Sequence, residues 1–170
     1  MLGKTISVKL KEGVKFSNGN DLTADDVAFT LKVVADPSYT GRFGAAVQNL
    51  VGYADYAAGK TTDFPGIEVV DATNIKFHFT DGFRTNLSDV CTMGIMDAES
   101  FEFKVGDTKV IENAMQTPVG TGPYVLKSWE KATGAVFTKN ENYWGEGYAI
   151  EQIIIKPVEM TTDYQELEKK

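Results

Sequence analysis

The chain has 170 residues, with 17 lysines and arginines against 24 aspartates and glutamates, so its formal net charge is −7. This length suits one domain or two small subdomains, and a hydrophobic fraction of 42% argues against wholesale disorder. The acidic balance gives no broad electrostatic footprint for nucleic acid or anionic lipid. One cysteine and one histidine exclude an internal disulfide and a histidine-rich metal centre. No apolar run approaches the roughly 18 residues of a membrane span.

The start of the chain predicts a strand, a turn and a helix. Apolar and polar residues alternate over residues 6–10, which is typical of a half-buried strand. The Ser-Asn-Gly-Asn run at 17–20 predicts a turn. Thr23, with Asp26 three residues later, predicts a capped helix that ends before Pro37, because the residue preceding a proline avoids the helical region.

The middle of the chain predicts a second helix and a β-hairpin. An apolar stripe predicts the helix over residues 43–58, although Gly52 inside it opposes helix formation. Apolar residues alternate on both sides of a turn at 71–74, which predicts the hairpin. No element is predicted over 106–118. The residues after the hairpin predict a short helix over 87–90, a loop over 91–96 and another short helix over 97–105.

From Val119 onward the pattern indicates a second set of strands. Two strands are predicted near 124–126 and 135–137, with a turn at 133–134 between them. A further strand is predicted over 150–158. Its three consecutive isoleucines predict burial on both faces, and therefore a central strand. The polar tail, 164–170, is expected to be frayed or a short helix.

Two residues are candidates for catalysis, and each has a simpler interpretation. His78 lies on the polar face of its predicted strand, and nothing near it in sequence would orient it as a base, so a solvated histidine is the simpler interpretation. Cys91 follows Val90 in a segment predicted to be buried. Because no cysteine–histidine pairing is evident, an inert core thiol is a simpler interpretation than a nucleophile.

Four further features also favour structural roles. The Gly-Thr-Gly-Pro run at 120–123 lacks the third glycine and the Lys-Ser/Thr of a phosphate loop, so it predicts a tight turn. Asp25 and Asp26 are interpreted as helix-start charges rather than a metal pair. Asn86 begins a glycosylation sequon, which is common by chance, and Trp144 is interpreted as a core anchor. Neither a catalytic residue, a metal ligand nor a cofactor is predicted.

Three segments, in this order, resemble the signatures of one family. Residues 8–19 and 22–27 resemble "L-R-x-G-V-K-F-x-D-G, L-T-A-E-D-V" of the family 5 extracellular solute-binding proteins, the peptide- and nickel-type receptors of ABC importers. Residues 119–124, Val-Gly-Thr-Gly-Pro-Tyr, look like its "V-G-T-G-P-Y/F". Residues 140–145 are similar to its "N-x-x-Y-W-G", and the resemblance covers nearly the whole chain.

The resemblance implies a fold and a domain organisation. The expected fold is α+β (mixed α/β), a lobe I fragment of a two-lobed periplasmic-binding-protein-like II fold. A boundary is expected near Thr117, so that residues 1–117 form the peripheral α/β subdomain of lobe I. Residues 118–170 are expected to return into the main sheet of lobe I. The second lobe, the export signal and the lipid-anchoring cysteine of full members are expected to be absent from this chain.

The resemblance also implies a function without bond chemistry. The expected role is the substrate-binding component of an ABC importer, capturing short peptides outside the membrane by hinge closure. Nickel chelates and oligosaccharides are family alternatives. The expected partners are the importer's membrane subunits, with membrane contact only through a lipid anchor absent from this chain. The expected ligand-binding segment consists of Thr92, Met93, Gly94, Ile95 and Met96.

Three alternatives stay open at this stage. Met93, Ile95 and Met96 are equally interpretable as core residues. The chain could be a small cytosolic enzyme that uses His78 or Cys91, in which case their substitution would abolish turnover. It could also be a self-associating interaction module, because a freed lobe exposes apolar surface.

Overall fold

The computed structural model describes residues 4–82, 85–107 and 109–157 and shows mixed α and β structure. It contains two three-stranded sheets, one formed by strands from the first half of the chain and the other by strands that follow residue 123. In chain order the elements are β1 (Thr5–Lys9), α1 (Ala24–Ala35), a 3-10 turn (Gly44–Val47), α2 (Tyr53–Ala57), β2 (Ile67–Val69), β3 (Asn74–His78), α3 (Thr85–Cys91), α4 (Lys109–Gln116), β4 (Tyr124–Glu130), β5 (Gly134–Lys139) and β6 (Gln152–Ile155).

The first sheet has the order β1-β3-β2, with both pairs antiparallel. Its register places Phe77 opposite Ile6 on one side and Ile67 on the other. Because strand side chains alternate between faces, Ile75 and Phe77 point into the core while Lys76 points away from it. The predicted strand at 6–10 and the predicted hairpin are confirmed.

Helix α1 covers the buried face of this sheet. It begins after Thr23, whose backbone N–H donates to Asp26 Oδ2 at 2.7 Å, and it ends at Ala35, with Asp36 as its C-cap before the proline, as predicted. Its apolar stripe, Val27, Leu31 and Val34, is buried in the core as the spacing predicted. The core cluster joins the stripe to residues from the sheet and the following segments, including Val47, Leu50, Tyr56, Phe64, Ile75, Phe77, Phe79, Val90 and Met93.

The predicted second helix over 43–58 is wrong. The structure has a 3-10 turn and the short helix α2 instead, with Gly52 between them at φ = +83°. This left-handed conformation interrupts helical geometry and favours glycine. A Cβ on Gly52 would also lie 2.6 Å from Cδ of Pro65, so the residue permits a close approach of the following loop.

The predicted helix over 97–105 is also wrong. The Asp97 side chain accepts hydrogen bonds from the Glu99 N–H (3.1 Å) and the Ser100 hydroxyl (2.5 Å), which stabilise a turn in place of a helix. Two further carboxylates fix the backbone at the start of this segment and just after its end. Asp26 accepts from the Ala98 N–H and Asp36 from the Gly106 N–H, both at 2.8 Å. A helix, α4, instead occupies part of the 106–118 stretch, for which none was predicted.

The second sheet has the order β4-β5-β6 and is entirely antiparallel. It confirms the two predicted strands near 124–126 and 135–137. The prediction of a central strand buried on both faces is wrong, because β6 is an edge strand and Ile154 and Ile155 are 53% and 58% exposed. β-branched residues indicated a strand, but they do not determine what packs on it. Val158 and the tail at 164–170 lie outside the described residues.

Among the described residues, no helix combines the length and apolar character required to cross a bilayer. We call the described residues from 4 to 116 the first unit and residues 120–157 the second unit. Residues 117–119 connect them.

Candidate functional site

The predicted ligand-binding segment leaves the end of α3 and divides between the core and the surface. Met93 is 7% exposed and belongs to the core cluster, and Ile95 packs against that cluster. Thr92 and Gly94 are exposed, and Met96 is half-buried. The groups of this segment that are accessible from outside are therefore the Thr92 hydroxyl, the Gly94 backbone and part of the Met96 thioether. The side chains of Met93 and Ile95 pack in or against the core.

Backbone hydrogen bonds fix this segment at both ends. The Thr92 N–H donates to the Ser88 carbonyl at 3.1 Å, which continues the last turn of α3. The Met96 N–H donates to the Thr30 hydroxyl at 2.8 Å, and Thr30 is buried in α1. A segment held in this way presents its exposed groups in a defined geometry.

A small apolar pocket lies beneath the segment. Its volume is about 150 Å³, and it is lined by Met93, Ile95 and Cys91 together with Val8, Leu10, Leu22, Val27, Ile75, Phe77 and Val90. An apolar cavity of this order accommodates a group of about the size of benzene. The pocket is therefore large enough for one apolar side chain and too small for a whole peptide.

Asp97 connects the end of the segment to the turn at 17–20. It is 1% exposed and accepts from Nδ2 of Asn18 (2.6 Å) and Nδ2 of Asn20 (3.0 Å). Burial raises the pKa of the Asp97 carboxyl, but hydrogen bonds from Ser100, Asn18, the Glu99 amide and Asn20 outweigh burial and leave that pKa below its usual range. Asp97 is therefore an ionised, fully hydrogen-bonded anchor.

A larger cleft lies between the two units, where sequence reasoning predicted no site. Its volume is about 520 Å³, within the usual range of small-ligand sites. Its lining consists of Ser17, Asn18 and Gln116 of the first unit, the connecting residues 117–119 and residues 125–129 of β4. No sequence signal could locate it, because 106–118 had no predicted element and the cleft depends on how the two sheets are placed.

His78 has a more ordered environment than its sequence neighbours indicated. Its Nδ1 lies 3.1 Å from the Thr5 hydroxyl and its Nε2 lies 2.8 Å from Glu68 Oε2. Hydrogen bonds from Lys76 and then from His78 hold the pKa of the Glu68 carboxyl below its usual range. Sequence reasoning missed Glu68 because only the β2–β3 register places it beside His78.

This hydroxyl–imidazole–carboxylate row lies on the open face of the sheet. The His78 and Glu68 side chains are 30% and 46% exposed, so solvent screens this interaction and no desolvated reaction site surrounds it. The row joins all three strands of the first sheet. Its geometry is that of a cross-strand surface network.

The surroundings of the remaining sequence candidates, Cys91 and Asn86, favour structural roles over chemical ones. The interpretation of Cys91 as a core thiol is wrong, because the residue is exposed. Partial burial nevertheless raises the pKa of its thiol, which disfavours the reactive thiolate. Asn86 of the sequon is 2% exposed, so its amide is enclosed by the fold. Within the described ranges, no three His, Cys, Asp or Glu side chains lie close enough to hold a metal ion.

The Gly-Thr-Gly-Pro run at 120–123 is a bend that presents carbonyl groups to its neighbours. Gly120 accepts from the Ser17 N–H at 2.9 Å, and Gly122 accepts from Asn140 Nδ2 at 2.8 Å. A phosphate loop would present N–H groups, so the turn interpretation agrees with this geometry. The interpretation of Trp144 as a core anchor is wrong, because its side chain is 46% exposed and lies under Lys11.

Comparison with known sequences then identifies the family. The family model described as "Bacterial extracellular solute-binding proteins, family 5 Middle" matches residues 3–170. The chain belongs to this family. The oligopeptide-binding protein OppA of Lactococcus lactis subsp. cremoris is 27% identical over 151 residues, which are 84% of this chain and 25% of that protein. The oligopeptide-binding protein AppA of Bacillus subtilis is 30% identical over 144 residues, 84% of this chain and 24% of that protein.

The family also contains a relative named for a metal. The nickel-binding periplasmic protein of Escherichia coli is 26% identical over 152 residues, covering 89% of this chain and 26% of that protein. The chain thus spans about a quarter of the length of the curated relatives it matches. Members of the family are solute-binding proteins that act outside the cytoplasm.

Solved structures confirm the predicted fold class. OppA of Burkholderia pseudomallei superposes with a TM-score of 0.80 at 22% identity, over 98% of this chain and 33% of that one. NikZ of Campylobacter jejuni, solved in complex with Ni(L-His), superposes with a TM-score of 0.77 at 18% identity, over 99% of this chain and 31% of that one. At these identities the likeness establishes the fold alone.

Proposed function

We propose that this chain is part of a receptor that captures short peptides outside the membrane for an ABC importer. The observation that carries the proposal is the family match over residues 3–170. Among the relatives, proteins named for oligopeptides and for di- and tripeptides support peptides as the ligand class. The importer's membrane subunits are the proposed partners, with a lipid anchor elsewhere in the parent protein.

The proposed ligand contacts are Thr92, Met93, Gly94, Ile95 and Met96. The exposed Thr92 hydroxyl and the exposed backbone at Gly94 supply the hydrogen-bonding groups that an extended peptide needs. The apolar pocket beneath Met93 and Ile95 has room for one apolar side chain of the ligand. The flexible, polarisable methionine side chains favour a site that accepts varied peptides.

The proposed domain boundary near Thr117 divides the chain into a peripheral subdomain, 1–117, and a return segment, 118–170. Capture would proceed by closure of a second lobe over the ligand, with no bond made or broken. One wall of such a cleft cannot desolvate a peptide or satisfy its termini. We therefore expect this chain alone to bind peptides only weakly, with a Kd above about 1 μM.

The test is a titration of the ¹⁵N-labelled chain, followed by NMR, because this method detects weak binding and locates it. The probes are trialanine, Ni(L-His) and maltotriose, each raised to millimolar concentration. Trialanine is expected to shift the amide resonances of Thr92, Gly94 and Met96 in a saturable way, and the other two probes are not. Gly147, which lies in the second unit outside the proposed contacts, is the internal control.

Each alternative gives a different pattern. Shifts with Ni(L-His) alone would replace peptides with nickel chelates as the ligand class, and shifts with maltotriose alone would favour oligosaccharides. Saturable shifts with trialanine at residues 125–129 would keep the peptide and move the site to the cleft between the units. A sub-micromolar Kd would contradict the expectation that this chain supplies only one wall.

A further inference from the structure

The three signature segments of this chain meet at one residue, although their members lie as many as 125 positions apart. The Ser17 N–H, from the first segment, donates to the Gly120 carbonyl of the second at 2.9 Å. The Ser17 carbonyl accepts from Nδ2 of Asn142, in the third, at 3.2 Å. Both backbone groups of Ser17 are thus used to connect the first unit to the second.

The turn that carries Ser17 is fixed within the first unit. Its neighbour Asn18 donates to Asp97 at 2.6 Å, and Asn20 donates to the same carboxylate at 3.0 Å. The Asn20 N–H also donates to Oδ1 of Asn18 at 3.1 Å. Because Asp97 is buried, the turn cannot move without breaking hydrogen bonds inside the first unit.

The partner groups in the second unit are fixed to each other. Asn140 is 4% exposed, donates to the Gly122 carbonyl at 2.8 Å and accepts from the Asn142 N–H at 3.0 Å. The position of Asn142 is therefore coupled to the 120–123 bend. The Gly120 carbonyl and the Asn142 amide, which both bind Ser17, are therefore connected to each other through Asn140.

A cation–π contact crosses the same boundary. The Lys11 ammonium lies 4.3 Å from the centroid of the Trp144 ring, and Lys11 follows β1 in the first unit. Such contacts contribute at exposed sites without requiring burial. Beside these contacts the units are separated by the open cleft of about 520 Å³, so a rotation at this point would change the width of the cleft.

We propose that Ser17, Asn142, Lys11 and Trp144 form a junction of positioning residues that fixes the angle between the two units and sets the width of the cleft between them. This assigns the signature segments a mechanical role in place of ligand contact. The inference does not depend on the ligand, and its test contains none, so it can fail while the proposed function stands.

The test measures the distance between the units by pulsed electron paramagnetic resonance. Spin labels are attached at Ala58→Cys and Ala132→Cys, both exposed positions, in a Cys91→Ser background. The labelled chain is expected to give one narrow distance distribution. Lys11→Met with Asn142→Asp is expected at least to double its width, because the aspartate removes the donor to the Ser17 carbonyl and the methionine removes the cation.

The matched control makes the same chemical changes at two positions of the first unit whose described contacts do not reach the second unit, as Lys9→Met with Asn113→Asp, and is expected to leave the width unchanged. Lys11→Met alone is also measured, because Lys11 is exposed and its loss does not threaten folding. Lys11→Arg should keep the distribution as narrow as that of the unaltered chain, since arginine also binds aromatic faces. Widths of Lys11→Met and of the double variant equal to the control, with unchanged far-ultraviolet circular dichroism, would overturn the proposal.

Discussion

The two units bury their apolar residues very differently. The first unit has a shared core in which Phe16, Leu31 and Phe77 are at most 2% exposed. In the second unit, no apolar side chain of the described residues 120–157 is buried, whereas Asn140 is. Trp129, at 66% exposure, and two isoleucines of β6, Ile154 and Ile155, are open to solvent. The first unit is therefore stabilised by apolar burial, and the second by strand pairing and backbone hydrogen bonds.

A pair of alanine substitutions should show the largest difference between the units. Phe77→Ala removes a buried ring from the central strand of the first sheet and is expected to cost about 3 to 5 kcal/mol of unfolding free energy. Ile154→Ala, on the exposed edge strand, is expected to cost less than about 1 kcal/mol. Urea denaturation measures both. Equal costs would show that the second unit has a buried core of its own.

Removal of the Asp97 carboxylate should rank next. Asp97→Ala leaves Asn18, Asn20 and Ser100 without their shared acceptor, with an expected cost of about 2 to 3 kcal/mol. Asp21→Ala, which breaks only an exposed ion pair with Lys15, is the control and should cost less than about 1 kcal/mol. A cost for Asp97→Ala no larger than the control's would contradict the anchoring role.

The same carboxylate predicts a dependence on pH. Since its pKa is lower in the folded state than in the unfolded state, its contribution is complete above the unfolded pKa of about 3.9. That contribution is lost as pH falls through the lowered folded pKa. The unfolding free energy of Asp97→Asn should consequently fall less than that of the unaltered chain between pH 5 and pH 2.5. Parallel pH profiles would argue against the lowered pKa.

A glycine substitution tests how the loops of the first unit pack. Gly52→Ala forces a Cβ into a left-handed conformation and against Pro65, with an expected cost of about 1 to 2 kcal/mol. Gly94→Ala is the matched control, because Gly94 has no left-handed φ and no neighbouring heavy atom within 4 Å of the added carbon. Thermal unfolding distinguishes them, and equal melting temperatures would show that the loop relaxes freely.

The smallest expected effect on stability is at the edge of the second sheet. Ile154→Lys with Ile155→Lys should change the unfolding free energy by no more than about 0.5 kcal/mol, because both side chains are largely exposed. It should reduce any self-association, since charges on an edge strand oppose pairing with another chain. Light scattering over a range of concentrations checks this. A strictly monomeric unaltered chain would remove the basis for the self-association alternative.

Local patterns predicted the elements whose signals are contained within a few residues. Thr23 and Asp26 predicted the start of α1, and the alternation about Phe77 predicted the hairpin, because capping and strand periodicity are local properties. The 97–105 prediction failed for a partly nonlocal reason, since Asp26 binds the Ala98 N–H and Asp36 binds the Gly106 N–H just beyond it, from a distant helix and its cap. The low helix propensity of Gly52 was a sequence signal against the predicted 43–58 helix.

The candidate site was only partly predictable. The sequence indicated the 92–96 loop through family resemblance, but it could not show that Met93 is buried while Thr92 is exposed. The partnership of His78 with Glu68 required the strand register, and the cleft required the relative placement of two sheets. Such features depend on tertiary geometry, which the spacing of residues does not determine.

Native-state hydrogen exchange measures the difference between the two units most directly. Amides of Ile75 and Phe77, in the buried strand β3, should exchange only through global unfolding and track its free energy in denaturant. Those of Ile153 and Ile155, in the edge strand β6, should exchange faster, through local opening that denaturant affects weakly. Equal protection in both strands, with the same denaturant dependence, would contradict the claim that only the first unit has its own core.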